Sequence, residues 1–165
     1  MATKVAINGF GRIGRLVARA ILERSDHDLE LVSINDLADT ASNAVLFGFD
    51  STHGRFPGKV DTDGNDLIVN GKRIQVTAER DPGKLPHGDN GIDLVMECTG
   101  FFQSDEGARP HLSAGAKRVL ISAPATGVSK TIVYGVNHDT LTAEDVIISN
   151  ASCTTNCLAP VAKVL

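Results

Sequence analysis

At 165 residues, 42% hydrophobic and 22% charged, the chain can bury one sizeable core and is too apolar for disorder. A net charge of -4, with no basic run longer than two residues, gives no basis for nucleic-acid or anionic-membrane binding. Apolar runs fall short of the roughly 18 residues of a membrane span, and three cysteines are too few for a disulfide scaffold, so a reducing cytoplasm is expected.

The start, Met1-Ala2-Thr3-Lys4, leads straight into a strand pattern, so no signal peptide is expected. Val5-Ala6-Ile7 is a short apolar run ended by Asn8-Gly9, the pattern of a buried parallel strand. Ile13, Leu16, Val17, Ala20 and Ile21 then recur at helical spacing between Gly11 and Arg24. Leu29 to Ile34, closed by Asn35-Asp36, completes a strand–helix–strand unit whose crossover should be right-handed. Ala41 to Phe49 suggests a short helix. Between Gly58 and Val76, Asp63-Gly64-Asn65 and Asn70-Gly71 are turn signals between alternating segments, which predicts small antiparallel hairpins. Asp81-Pro82-Gly83 and Pro86-His87-Gly88 read as loop.

Ile92 to Met96 is the next strand, followed by Glu97-Cys98-Thr99-Gly100. Ser104 can cap a helix to about Ala114, against the helix-weakening Gly107 and Pro110. Val119 to Ile121, Ile132 to Val136 and Val146 to Ile148 read as further strands. Strands alternating with helices predict an α/β fold: a Rossmann-type doubly wound, mostly parallel sheet with small antiparallel hairpin insertions. Cys153 should open a last helix, with Ser152 near its N-cap and Leu158, Val161, Ala162 and Leu165 on one face.

Gly9-Phe10-Gly11-Arg12-Ile13-Gly14 matches G-x-G-x-x-G between a strand and a helix. Gly9 permits a tight turn, Gly11 lets a pyrophosphate approach the backbone, and Gly14 allows close helix–sheet packing. The helix N-terminus would face the phosphates with free N–H groups, and Arg12 could add a contact. The alternative is an ordinary glycine turn. Asp36 ends the second strand where an acid can bond the adenosine ribose hydroxyls, and its charge would repel a 2′-phosphate, favouring NAD over NADP. Its alternative is a helix cap. Thr99-Gly100 and Ser122-Ala123 close strands on the same sheet edge, either lining the crevice or simply ending the strands. Residues 1–152 therefore read as an NAD-binding domain, and 153–165 as the first helix of a second domain that is otherwise essentially absent.

A helix N-terminus favours the thiolate of a cysteine placed there, so Cys153 is a candidate nucleophile; an inert cysteine is the other reading. Cys153 and Cys157 lie four apart without a nearby third ligand, so no metal is expected. Cys98, after an apolar strand, reads as core. The histidines at 27, 53, 87, 111 and 138 all precede Cys153, and surface or capping roles suit them.

The chain resembles the phosphorylating glyceraldehyde-3-phosphate dehydrogenases along its whole length. The resemblance rests on Ala6 to Arg15, Glu97-Cys98-Thr99-Gly100, Tyr134-Gly135-Val136-Asn137-His138 and, above all, Ser149-Asn150-Ala151-Ser152-Cys153-Thr154-Thr155-Asn156-Cys157-Leu158-Ala159-Pro160. It implies that Cys153 attacks a triose phosphate aldehyde, giving a thiohemiacetal and then a thioester that inorganic phosphate releases as an acyl phosphate, with NAD as cofactor. Ser152 and Thr154 would contact the attacking phosphate. Asn8, Gly9, Phe10, Gly11, Arg12, Ile13, Gly14, Asn35, Asp36, Arg80, Thr99, Gly100 and Ser122 would form the cofactor site. The family's base histidine follows the cysteine and has no counterpart here, so an inactive NAD-binding portion is expected, from an enzyme that is a cytoplasmic homotetramer. An exposed last helix would favour self-association. Relatives acting on erythrose 4-phosphate share much of this half, and a non-catalytic NAD-binding module is the other alternative.

Overall fold

The computed structural model describes residues 2–165. β1 (Thr3–Asn8), α1 (Arg12–Glu23) and β2 (Leu29–Asn35) form the first unit, with β1 and β2 parallel. α2 (Thr40–Gly48) is capped by Asp39, which accepts from the Ser42 N–H at 2.8 Å. A small hairpin follows, β3 (Phe49–Asp50) against β4 (Gly54–Arg55). β5 (Val60–Asp63), β6 (Asp66–Val69) and β7 (Lys72–Thr77) are the expected antiparallel hairpins. The second turns at Asn70 and Gly71, with φ of 52° and 80°, the conformation that an Asn-Gly pair tolerates. These hairpins are not a separate layer. β7 pairs in parallel with β2 through Ser33–Gln75 and carries β6 and β5 onto the main sheet.

A 3-10 turn (Pro82–Lys84) and a single turn, α3 (His87–Asn90), occupy part of the expected loop. Then come β8 (Leu94–Glu97), α4 (Asp105–Ser113) and β9 (Arg118–Ile121). The Ser104 hydroxyl caps α4 by accepting from the Gly107 N–H at 3.0 Å, and the helix tolerates Pro110 near its end. β10 (Lys130–Thr131), a 3-10 turn (His138–Thr140), β11 (Ile147–Ser149) and α5 (Cys153–Val164) complete the described chain. The strand expected at 132–136 stops at Thr131. Gly135 turns the backbone at φ 81°, and the Asn137 side chain takes the Val133 N–H at 2.8 Å, ending the ladder.

The nine-stranded sheet runs β10-β11-β9-β8-β1-β2-β7-β6-β5, with only the last two pairings antiparallel. Alternate residues of β1 face opposite layers, as strand geometry requires. Val5 and Ile7 join Ala18 and Ile21 of α1 with Phe10, Phe47 and Phe56, while Ala6 joins Val95, Ala108, Val119 and Ile147 under α4. Helices on both faces of a parallel sheet make this the Rossmann-type architecture that the alternation predicts. Strand order reverses between β1 and β8, so their C-terminal ends diverge into a crevice.

Candidate functional site

A cleft of about 550 Å³ lies over that reversal point, lined by Asn8, Gly9, Gly11, Asn35, Asp36, Leu37, Glu79, Arg80, Cys98, Thr99, Phe101 and Phe102. Its floor is the turn from β1 into α1. Gly9 has φ 90°, and a Cβ there would come within 2.7 Å of the Thr99 backbone nitrogen. A Cβ on Gly14 would sit 2.0 Å from the Gly9 carbonyl oxygen, so only glycine lets α1 pack this close to β1. Gly11 differs: its φ is -67°, and a Cβ there would meet no protein atom within 4 Å. Neither backbone conformation nor protein packing requires glycine at 11. A large ligand lying against the start of α1 would require it.

Gly11 is the N-cap of α1 and offers no side-chain cap, so the amides of the first helical turn point outward without a helical acceptor. Those amides and the helix dipole suit an anionic group. The Asp36 carboxylate ends β2 opposite them. One oxygen accepts from the Phe10 N–H at 2.6 Å and the other from the Ala38 N–H at 2.9 Å, which pins the carboxylate to the glycine turn at the cleft lip. Each oxygen keeps lone pairs for hydroxyl donors. An open backbone turn at a helix N-terminus, an acid across from it and the aromatic rings of Phe101 and Phe102 fit a nicotinamide dinucleotide.

Asn8, Gly9, Gly11, Asn35, Asp36, Arg80 and Thr99 thus come together in the cleft. Other expected residues sit elsewhere. Phe10 is buried and stacks on Phe47, with centroids 5.8 Å apart. The Arg12 guanidinium pairs with Asp50 at 3.0 Å, and Ile13 is half exposed on the helix. Gly14 packs under the turn, and Gly100 turns the chain at φ 78°. Ser122 lies at the end of β9 beside the Cys98 thiol. Leu37, Glu79, Phe101 and Phe102 are lining residues that motif reading does not reach, since their chain positions carry no ligand signature. Cys98 packs on the core and also borders the cleft; burial pushes its thiol up to about 11, far from a nucleophile's range.

Two histidines contradict their expected surface or capping roles. His111 is fully buried and His87 is 3% exposed. Their rings meet, His87 Nε2 to His111 Nδ1 at 3.1 Å, and His111 Nε2 reaches the buried Glu97 carboxyl at 2.9 Å. Burial, then the neighbouring His111, holds the His87 pKa down to about 4. A histidine in an expected loop and another in an expected helix give no sequence signal of this burial, because the contact is made across 24 residues.

Cys153 is the first residue of α5 and is exposed. The Ser152 hydroxyl caps the helix, accepting from the Thr155 N–H at 2.9 Å, and approaches Thr154 Oγ1 at 3.0 Å, so Ser152 and Thr154 flank Cys153. Ala151, just before them, is held at φ 59°, a left-handed conformation costing about 1–2 kcal/mol for a non-glycine residue. Its N–H donates to Ser149 Oγ at 3.0 Å, whose own hydroxyl donates to the Ala123 carbonyl at 2.7 Å. This strained turn leads from β11, which lies three strand spacings (about 14 Å) from β1 in the sheet, to Cys153 at the start of α5. The remaining histidines are engaged elsewhere: His27 with the Leu29 N–H, His53 with Asp50, and His138 with the Gly135 N–H. Among the described residues, no cluster of metal-ligating side chains is present and no helix is long and apolar enough to cross a membrane.

A family model described as "Glyceraldehyde 3-phosphate dehydrogenase, NAD binding domain" matches residues 3–105. The glyceraldehyde-3-phosphate dehydrogenase of Zymomonas mobilis subsp. mobilis is 67% identical over 166 residues, covering 100% of this chain and 49% of that protein. The Xanthobacter flavus protein of the same name is 61% identical, covering 100% of this chain and 49% of its own length. The Thermotoga maritima protein of that name is 58% identical, covering 98% of this chain and 49% of its own length. The chain spans about half the length of the curated relatives it matches.

Proposed function

The chain belongs to the glyceraldehyde-3-phosphate dehydrogenase family and carries its NAD-binding domain, and from that premise we propose that NAD lies in the cleft between Asp36 and Thr99. The observation that carries this reading is Gly11, where a side chain would meet only the open cleft. The pyrophosphate would face the first-turn amides of α1, and the adenosine ribose hydroxyls would bond Asp36, with Arg80 beside the adenine. Arg12, held by Asp50, contributes through its backbone amide and not its guanidinium. Phe10, Ile13 and Gly14 shape the turn; Asn8, Asn35, Thr99, Gly100 and Ser122 shape the sheet edge.

In the whole enzyme, the proposed reaction converts D-glyceraldehyde 3-phosphate and inorganic phosphate to 1,3-bisphosphoglycerate. Bound NAD would supply the hydride acceptor. The Cys153 sulfur would add to the aldehyde carbon, and its backbone N–H, at the start of α5, would steady the oxyanion. Ser152 and Thr154 would orient the phosphate that takes the acyl group from the Cys153 thioester. Because each histidine is engaged away from Cys153, these 165 residues should bind NAD without sustained NADH production.

The proposed domain boundary falls between 152 and 153, since no residue of α5 is buried. A homotetrameric, cytoplasmic parent enzyme belongs to the same proposal. Leu158, Val161 and Val164 are exposed on α5, so the chain should self-associate in solution, which sedimentation equilibrium tests. Calorimetric titration with NAD, and with NADP for comparison, tests the central reading. NAD binding tighter than NADP supports it; a folded chain that binds neither overturns it.

A further inference from the structure

Beneath the cleft, a buried chain of hydrogen bonds links β1, β2, β8, α3 and α4 with the loops that follow β7 and β8. Three donor groups converge on Glu97, which is 2% exposed, and His111 Nε2 lies beside them. Oε2 receives the Asn8 side-chain amide at 2.6 Å and lies 2.9 Å from His111 Nε2; Oε1 receives the Thr99 N–H at 2.8 Å and its hydroxyl at 2.5 Å. Asn8 Oδ1 in turn accepts from Asn35 Nδ2 at 2.7 Å. The Asn35 amide is fixed by backbone at its far side. Its Oδ1 accepts the Glu79 N–H at 2.8 Å and its Nδ2 donates to the Glu79 carbonyl at 2.8 Å. Thr99 Oγ1 accepts the Phe101 N–H at 3.1 Å. Asn8, Asn35, Glu79, Thr99 and Phe101 all line the cleft.

We infer that Glu97, steadied by His111, is a positioning residue for the cofactor cleft: an acceptor-only anchor that sets the direction of the Asn8 amide and holds the Thr99 turn. This inference rests on the dinucleotide reading of the cleft. The logic is one of polarity. The Glu79 backbone orients Asn35, so Asn8 must turn its oxygen toward Asn35 and its NH2 toward residue 97. Thr99 presents a backbone N–H, which cannot reverse. Both ends of residue 97 must therefore accept, and among side chains of that length only a carboxylate does so. Glutamine, nearly isosteric, would set NH2 against a donor at one end or the other, leaving a buried group unpaired. The polarity continues outward: with His111 Nε2 donating to Glu97 in the neutral tautomer, its Nδ1 accepts from His87 Nε2.

NMR and calorimetry test this on the full chain. In the unmodified protein, the His111 ring should carry its proton on Nε2; a ring protonated on Nδ1 alone overturns the inference without any variant. Glu97→Gln, measured where it is fully folded, should weaken NAD binding roughly tenfold or more, the effect of one unpaired buried donor. It should also shift the Thr99 and Phe101 amide resonances. The double variant Asn8→Asp with Glu97→Gln exchanges acceptor and donor. It should return those amides toward their original positions and move the His111 proton to Nδ1. Unchanged NAD affinity in Glu97→Gln, or a double variant whose amides stay displaced, overturns the inference. Failure of the unmodified chain to bind NAD removes the dinucleotide reading, while the tautomer and the amide shifts still decide what Glu97 anchors.

Discussion

Asp36→Ala separates two roles of one carboxylate. In the structure that carboxylate holds the glycine turn by accepting from the Phe10 and Ala38 amides at 2.6 and 2.9 Å. In the proposed complex it also accepts from the adenosine ribose. Hydrogen bonds to a charged group contribute about 1.5–3 kcal/mol each, less where water can replace the partner. Phe10 is buried, while Ala38 is exposed and its amide can turn to solvent. The turn should therefore lose about 1–2 kcal/mol, lowering the melting temperature by roughly 2–8 °C for a chain of this size. Loss of the ribose bonds should cost about 1.5–3 kcal/mol more, roughly 10–150-fold in NAD dissociation constant. NADP affinity should hold or rise, because the charge opposing its 2′-phosphate is gone. Asp36→Asn keeps the volume but sets NH2 against one backbone N–H, so it should lose stability as well as NAD affinity. Calorimetric titration of both nucleotides, beside thermal melts, reads each effect. A lowered melting temperature with unchanged NAD affinity would refute the reasoning, leaving Asp36 as a turn lock only.

Gly11→Ala should melt within a degree or two of the parent yet lose most NAD affinity, because its methyl enters the cleft; Gly14→Ala, whose Cβ meets the Gly9 carbonyl at 2.0 Å, should unfold readily with or without NAD. The His87 pKa falls from 6.5 to about 4 in the fold, so its contribution to stability is whole above 6.5 and is lost as pH falls toward 4. That linkage amounts to about 2 kcal/mol between pH 8 and pH 5; urea unfolding should show a flatter pH dependence in His87→Gln, and an identical slope would acquit His87. Cys98, with its thiol raised to about 11 and partly buried, should resist alkylation at pH 8 while the exposed Cys153 and Cys157 react; mass spectrometry of digested protein would show equal labelling if this is wrong.

Much of the fold was legible because the signals are local. Val5-Ala6-Ile7 before a glycine turn, the 3.6-residue repeat from Ile13 to Ile21, and Asn70-Gly71 each act through neighbours a few residues away. The strand at 132–136 failed for a local reason of another kind: β-forming residues were overridden by a Gly135 turn and an Asn137 side chain competing for the Val133 amide. Gly9, Gly11 and Asp36 were legible as candidates from a glycine turn and an acid at a strand end, and the structure brings all three to one cleft.

What the sequence by itself determined is the order of elements, the glycine turn, the acid after β2 and the cysteine at the start of α5. Only the tertiary structure decided that Arg12 would spend its charge on Asp50, that β7 would join β2, and that His87, His111, Glu97, Asn8 and Asn35 would share one buried chain. The reason is physical. Turn and helix preferences are set within a few residues, whereas a buried polar group is satisfied by whatever donor or acceptor the packed layers bring to it, here from as far as 89 residues away.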